Sequence, residues 1–141
     1  MSNEYKDYTN DLREAFDEKM SEVNDLYDGW KKAFVPKMMD EMFCALGSYS
    51  EDFEVYQIKE KFGSLVIYKG WKDREYTDEE FKDLDDITAE LNTIIEKYRK
   101  ISERTCVKCG GKATFFSSGW VIPWCDNCRD RKMGVFGYVD D

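Results

Sequence analysis

Four cysteines in two pairs carry the clearest chemistry in the sequence. Cys106-Val107-Lys108-Cys109 is followed by Gly110, and after a spacer of 15 residues comes Cys125-Asp126-Asn127-Cys128. Each C-x-x-C turn points two sulfurs at one centre, and a hairpin between two such turns brings the pairs together. Four thiolates then satisfy tetrahedral Zn²⁺ completely. Gly110 suits the tight turn of such a knuckle. Iron accepts the same ligands and is the alternative ion. A thioredoxin-like redox pair would need a strand–CxxC–helix pattern, which does not appear. Two disulfides do not suit a reducing compartment. A closed four-cysteine shell leaves no position for water or substrate, so the expected cofactor is one structural Zn²⁺. It acts as a folding element for a segment too short to bury a core of its own. The fifth cysteine, Cys44, is expected as a buried core thiol in an apolar helix.

Other chemistry is scarce. The sequence has no histidine, which removes the usual general base and excludes Ser-His and Cys-His nucleophile systems within one chain. Carboxylates crowd residues 1–28, where nine acids meet three bases, and also Asp78, Glu79, Glu80, Asp83, Asp85 and Asp86. Nothing in their spacing selects a pair for acid–base work, so no catalytic residue is nominated and a non-enzyme is favoured. Lys59, Glu60 and Lys61 sit beside Gly63 at the tip of an expected hairpin, where they could contact a partner or an anionic ligand. Trp30 and Trp71 are the aromatic residues that could line a pocket with them.

The elements that must position these groups are legible from periodicity. Tyr5, Tyr8, Leu12, Phe16, Met20, Val23, Tyr27 and Trp30 recur at steps of three or four, predicting an amphipathic helix over about 5–28. Asp28-Gly29 reads as the turn that ends or bends it. A second helix is expected over 35–46, with Pro36 in its first turn and Gly47 as its stop. The alternating residues 53–60 and the β-branched and aromatic residues 64–69 predict a β-hairpin over about 53–69. Its turn falls near Lys61-Phe62-Gly63, with Tyr56, Ile58 and Phe62 facing the helices. Thr77 and Glu80 form a capping-box signature for a long helix over 78–102. That helix carries an apolar stripe of Phe81, Leu84, Ile87, Leu91, Ile94, Ile95, Tyr98 and Ile101. Two short strands, 113–117 and 120–124, lie between the cysteine pairs. Val135, Phe136 and Tyr138 of the tail are expected to pack back on the body. The fold class is therefore α+β: a body of residues 1–104 with a docked zinc ribbon and tail, 105–141.

Several of these segments together resemble a family of small, uncharacterised bacterial and bacteriophage proteins. They are Tyr27-Asp28-Gly29-Trp30, the run Gln57-Ile58-Lys59-Glu60-Lys61-Phe62-Gly63-Ser64-Leu65, the run from Ser102 to Gly110, Gly119-Trp120, and the last cysteine pair. The family's mark is an (I/V)KEKFGxL hairpin followed by a ribbon-like metal site, and the resemblance spans most of residues 27–128. Relatives end the site with Cys-x-x-His where this chain has Cys128, a departure that keeps four ligands. The resemblance implies a bacterial or phage origin and supplies no activity.

Charge narrows the function classes. The net charge is −9. Residues 106–141 carry five basic and four acidic side chains, and the remaining 105 residues carry 16 basic and 26 acidic ones. Such a surface disfavours broad contact with phosphates. The leading expectation is a non-enzymatic zinc-containing interaction protein with a protein partner, a phage accessory factor acting on a host cytosolic protein. The first alternative binds a small anionic ligand through Lys59 and Lys61 with Trp30 and Trp71. The second binds nucleic acid through the ribbon, using Lys108, Lys112, Arg129, Arg131 and Lys132 with Phe115, Phe116, Trp120 and Trp124; the competing role for those aromatics is to pack the ribbon on the long helix. With no apolar run after Met1 and no stretch of membrane-spanning length, the expected location is the cytoplasm, the host's if phage-encoded.

Overall fold

The computed structural model describes residues 2–140, with the side chains of 2–9 excepted. The chain has an α+β fold. Helix α1 spans Ser2–Lys19, α2 Asp28–Ala33, α3 Val35–Leu46 and α4 Asp78–Ser102. Strands β1 (Phe53–Lys61) and β2 (Ser64–Trp71) form an antiparallel hairpin. Strands β3 (Phe115–Ser117), β4 (Pro123–Trp124) and β5 (Val135–Tyr138) form a second sheet in the order β4-β3-β5. Among the described residues, no helix is long and apolar enough to cross a membrane.

The first helix stops earlier than its periodicity predicts. It ends at Lys19, and a 3₁₀ turn follows over Ser21–Asp25. Met20, Val23 and Leu26 are all buried, and steps of three suit a 3₁₀ turn as well as an α-helix, so the apolar pattern continues through the break. Ser21, Asn24 and Asp25 compete with the backbone for hydrogen bonds and weaken the helix there. Tyr5 and Tyr8 of the expected stripe lie outside the described side chains. Asp28-Gly29 does not stop a helix. It forms the first turn of α2, with Tyr27 extended before it.

Helix α4 matches its predicted span. Glu80 N–H donates to Thr77 Oγ1 (3.1 Å) and Thr77 N–H to Glu80 Oε1 (2.9 Å), closing the capping box. Leu84, Leu91 and Tyr98 are buried, whereas Phe81 and Ile101 at the two ends are exposed. At the other terminus Ser102 Oγ accepts from Leu65 N–H (2.9 Å), tying α4 to β2. One core joins Phe16, Met20, Trp30, Met38, Met42, Leu46, Phe53, Ile58, Leu65 and Leu91. Cys44 is exposed rather than a core thiol, because α3 buries the stripe Val35, Met38, Met42 and Leu46 and turns residue 44 outward.

The hairpin closes on the pair Lys61↔Ser64. Phe62 has φ 52° and Gly63 φ 83°, the left-handed pair of a two-residue type I′ turn. The expected inward face is corrected by two local features. The register slips between Val55 and Gln57, which turns Tyr56 outward, and Phe62 projects from the turn. Both are exposed, while Phe53 and Ile58 remain inside. The tail also differs from expectation. It adds β5 to β3 instead of returning to the body, and leaves Phe136 and Tyr138 exposed.

Candidate metal centre and the groove beside it

The sulfurs of Cys106, Cys109, Cys125 and Cys128 lie within 4.8 Å of one another. The first knuckle is built by backbone bonds: Gly110 N–H donates to Cys106 O (3.0 Å) and Cys106 N–H to Gly111 O (2.8 Å). Gly111 N–H points at Cys109 Sγ (3.3 Å). Gly110 takes φ +81° to close this turn. In the second knuckle Cys128 N–H donates to Cys125 O (3.2 Å). Val107 N–H donates to Pro123 O (3.0 Å), which holds the first knuckle to the strand that leads into the second.

The sulfur spacing suits a shared ion. Cys109 Sγ and Cys125 Sγ are 3.6 Å apart, close to the roughly 3.8 Å edge of a tetrahedron of thiolates around Zn²⁺. Cys106 and Cys125 are buried, Cys128 is half-buried and Cys109 is exposed. Burial opposes ionisation of Cys106, but N–H groups of Cys109, Cys125 and Lys108 prevail and bring its thiol down to about 7. Cys128 is pushed up to about 12 by the neighbouring Cys125 sulfur and by burial. Burial also raises Cys125. Four thiols this close resist joint ionisation unless a cation shares them. The donor set is therefore compatible with a metal site, and a closed one.

The knuckle is pressed into the body through glycine. Gly29 N–H donates to Val107 O at 2.8 Å. A Cβ on Gly29 would lie 2.1 Å from Cys106 O and 2.7 Å from Gly110 N, so the two backbones touch where no side chain fits. Next to it, the Trp30 indole N–H donates to Thr105 O (3.0 Å). The Asp28-Gly29-Trp30 element is thus the seat of the first cysteine knuckle. Its sequence signal was present as a turn dipeptide, but its partner lies too far along the chain for local spacing to reveal.

The sequence-nominated binding residues separate into two places and an interior. Trp30 is fully buried beneath the knuckle and lines no surface. Trp71 is half-buried at the open end of the hairpin, opposite Phe53, with its N–H on Thr88 Oγ1 (2.9 Å). Lys59, Glu60 and Lys61 lie at the other end. With Phe62 they line a groove of about 370 Å³, closed on its far side by Gly119, Trp120 and Val121 of the ribbon. The pocket expected from both lysines and both tryptophans is not assembled; the lysines share a groove lining with Trp120 instead.

Glu60 organises the groove. Its Oε1 accepts from the Tyr27 hydroxyl (2.8 Å) and the Trp120 indole N–H (3.1 Å), and its Oε2 accepts from Gly63 N–H (2.8 Å). Burial, then the Glu60 carboxylate, pushes the Tyr27 phenol up to about 12. Phe116 lies under the turn, 3.2 Å from where a Gly63 Cβ would stand. Of the ribbon aromatics, Phe115 is buried, Phe116 and Trp124 are half-buried, and Trp120 is 71% exposed. Lys108, Lys112, Arg129, Arg131 and Lys132 are exposed, with Arg129 over the Phe115 ring. Sequence reasoning missed that Phe62 and Trp120 line one groove, which depends on how the ribbon docks. No protein-family model, curated protein or solved structure matches the chain.

Proposed function

We propose that this chain is a non-enzymatic interaction protein in which one structural Zn²⁺ on Cys106, Cys109, Cys125 and Cys128 fixes the ribbon to the body. In doing so the ion fixes a docking surface for a protein partner where the hairpin tip meets the ribbon. The observation that carries this reading is that Phe62 and Trp120, 77% and 71% accessible, line one groove, with Trp120 held in place by Glu60 and Tyr27. Large exposed aromatics beside fixed polar groups are the anchors protein interfaces use. Of the eight large apolar side chains exposed among the described residues, Tyr56, Phe62, Tyr68, Trp120, Phe136 and Tyr138 are on the hairpin or the ribbon.

Zinc is preferred to iron because the shell needs no redox function and the ion's role is to close a fold. Native mass spectrometry of the purified chain tests this first. One zinc per chain and no retained small molecule is the expected spectrum. Affinity capture with wild-type and Trp120→Ala baits tests the surface: a partner held by the first and lost by the second supports it. Partners retained equally by both baits would refute the docking site.

A further inference from the structure

The groove has a specific charge and shape, and resting on the reading above we infer that it takes an acidic linear segment of the partner. An apolar side chain of that segment sits between Phe62 and Trp120, and its flanking carboxylates sit on Lys59 and Lys61. The anchor site is fixed before binding. The Trp120 indole N–H is held by Glu60 Oε1 and the Tyr27 hydroxyl, both at 3.1 Å, so little freedom is lost when a ligand packs on the ring. A volume of about 370 Å³ accommodates one large side chain.

Phe62 points the same way. It is the one non-glycine residue with positive φ among the described residues, and a bulky side chain is disfavoured there. The turn would accept asparagine more readily. The ring is 77% exposed, so the fold gains little packing from it. Strain kept at an exposed aromatic, with no packing in the fold to offset it, is the observation from which a contact with a partner is inferred.

The charge balance selects the class of occupant. The one carboxylate in the groove, Glu60, spends both oxygens on Tyr27, Trp120 and Gly63. Lys59 lies 5.8 Å over the Tyr68 ring, and neither Lys59 nor Lys61 is in an ion pair among the described residues. The donors to Glu60 are neutral and leave it its charge, so in a chain of net charge −9 the groove sets two lysine cations against one fixed carboxylate. Single-stranded nucleic acid brings a phosphate with every nucleotide and calls for a longer run of cations than the two lysines that line this groove. A peptide with one anchor and two carboxylates needs only what the groove holds.

The test is selection of a displayed random-peptide library on the metal-loaded full chain, followed by titration of the recovered peptide and of an oligothymidine. Calorimetry reads the affinity of every variant, and where Trp120 is kept its emission reports binding directly, since Trp30 is buried and Trp71 and Trp124 are half-buried. The expected consensus places Asp or Glu around one aromatic or aliphatic residue. Its affinity should fall about tenfold or more in Trp120→Ala and in Lys59→Glu/Lys61→Glu, and should weaken with salt. Phe62→Asn should lose affinity equally while melting no lower than the wild type, which separates lost contact from lost fold. A basic or uncharged consensus at this groove, or oligothymidine binding there, overturns the acidic occupant and leaves the surface standing. Acidic peptides that bind Trp120→Ala as well as wild type overturn the groove itself.

Discussion

At the scale of single residues, two positions carry opposite kinds of constraint. Phe62 costs the fold conformational energy at φ 52°, so Phe62→Asn should stabilise the chain by about 0.5–1 kcal/mol, read from the denaturant midpoint. Gly29 is the reverse case. Its missing Cβ leaves room for Cys106 O and Gly110 N, and those atoms are backbone and cannot swing away. Gly29→Ala should cost about 3 kcal/mol and loosen the metal, detectable as faster zinc loss to a chelator. The Tyr27 phenol supplies a pH signature. Its pKa is raised from 10.0 to about 12 in the folded chain, so the folded state holds this proton more tightly than the unfolded state. The associated stability is whole below about pH 10 and is lost as pH rises towards about 12. Tyr27→Phe should remove one late-titrating phenolate from the absorbance titration and flatten that alkaline loss.

At the scale of elements, legibility followed the range of the forces involved. Helix α4 declared both ends in sequence, because a capping box is a local device and a 25-residue amphipathic stripe repeats its signal many times. Thr77→Ala should cost about 1 kcal/mol, measurable by thermal or denaturant unfolding, since it removes the bond to Glu80 N–H. The hairpin was legible for the same reason, its turn marked by Gly63. The break after Lys19 was not, because Met20, Val23 and Leu26 serve either helix type. Nor was the outward turn of Tyr56, which depends on a register slip rather than on alternation. The tail strand was misjudged because its pairing partner, β3, is three residues long and gives a weak pattern. The cysteine cluster was fully legible. Four ligands at fixed spacing leave little choice of geometry, whereas the Phe62–Trp120 groove exists only after two separate elements dock.

At the scale of the whole molecule, the body and the cysteine ribbon are one mechanical unit. Gly29 N–H bonds to Val107 O, Trp30 Nε1 to Thr105 O and Ala113 N–H to Arg104 O. Val107 and Ile122 of the ribbon belong to the same buried cluster as Phe16 and Leu91. Removing the ion proposed for this site would therefore act well beyond the ribbon. Without a cation, Cys125 and Cys128 hold their protons, nothing joins the two cysteine pairs, and the knuckle that seats Gly29 and bonds to Trp30 loses its fixed geometry. Chelation should lower the melting temperature of the entire chain in one cooperative transition and shift the Trp30 emission towards that of a hydrated indole. Restoring Zn²⁺ should reverse both, and Cys125→Ser should reproduce them without chelator. If the ribbon were an independent appendage, stripping the metal would leave the main transition and the Trp30 signal unchanged. The contacts of Gly29 and Trp30 with the knuckle weigh against that outcome, because Trp30 is also a fully buried member of the core.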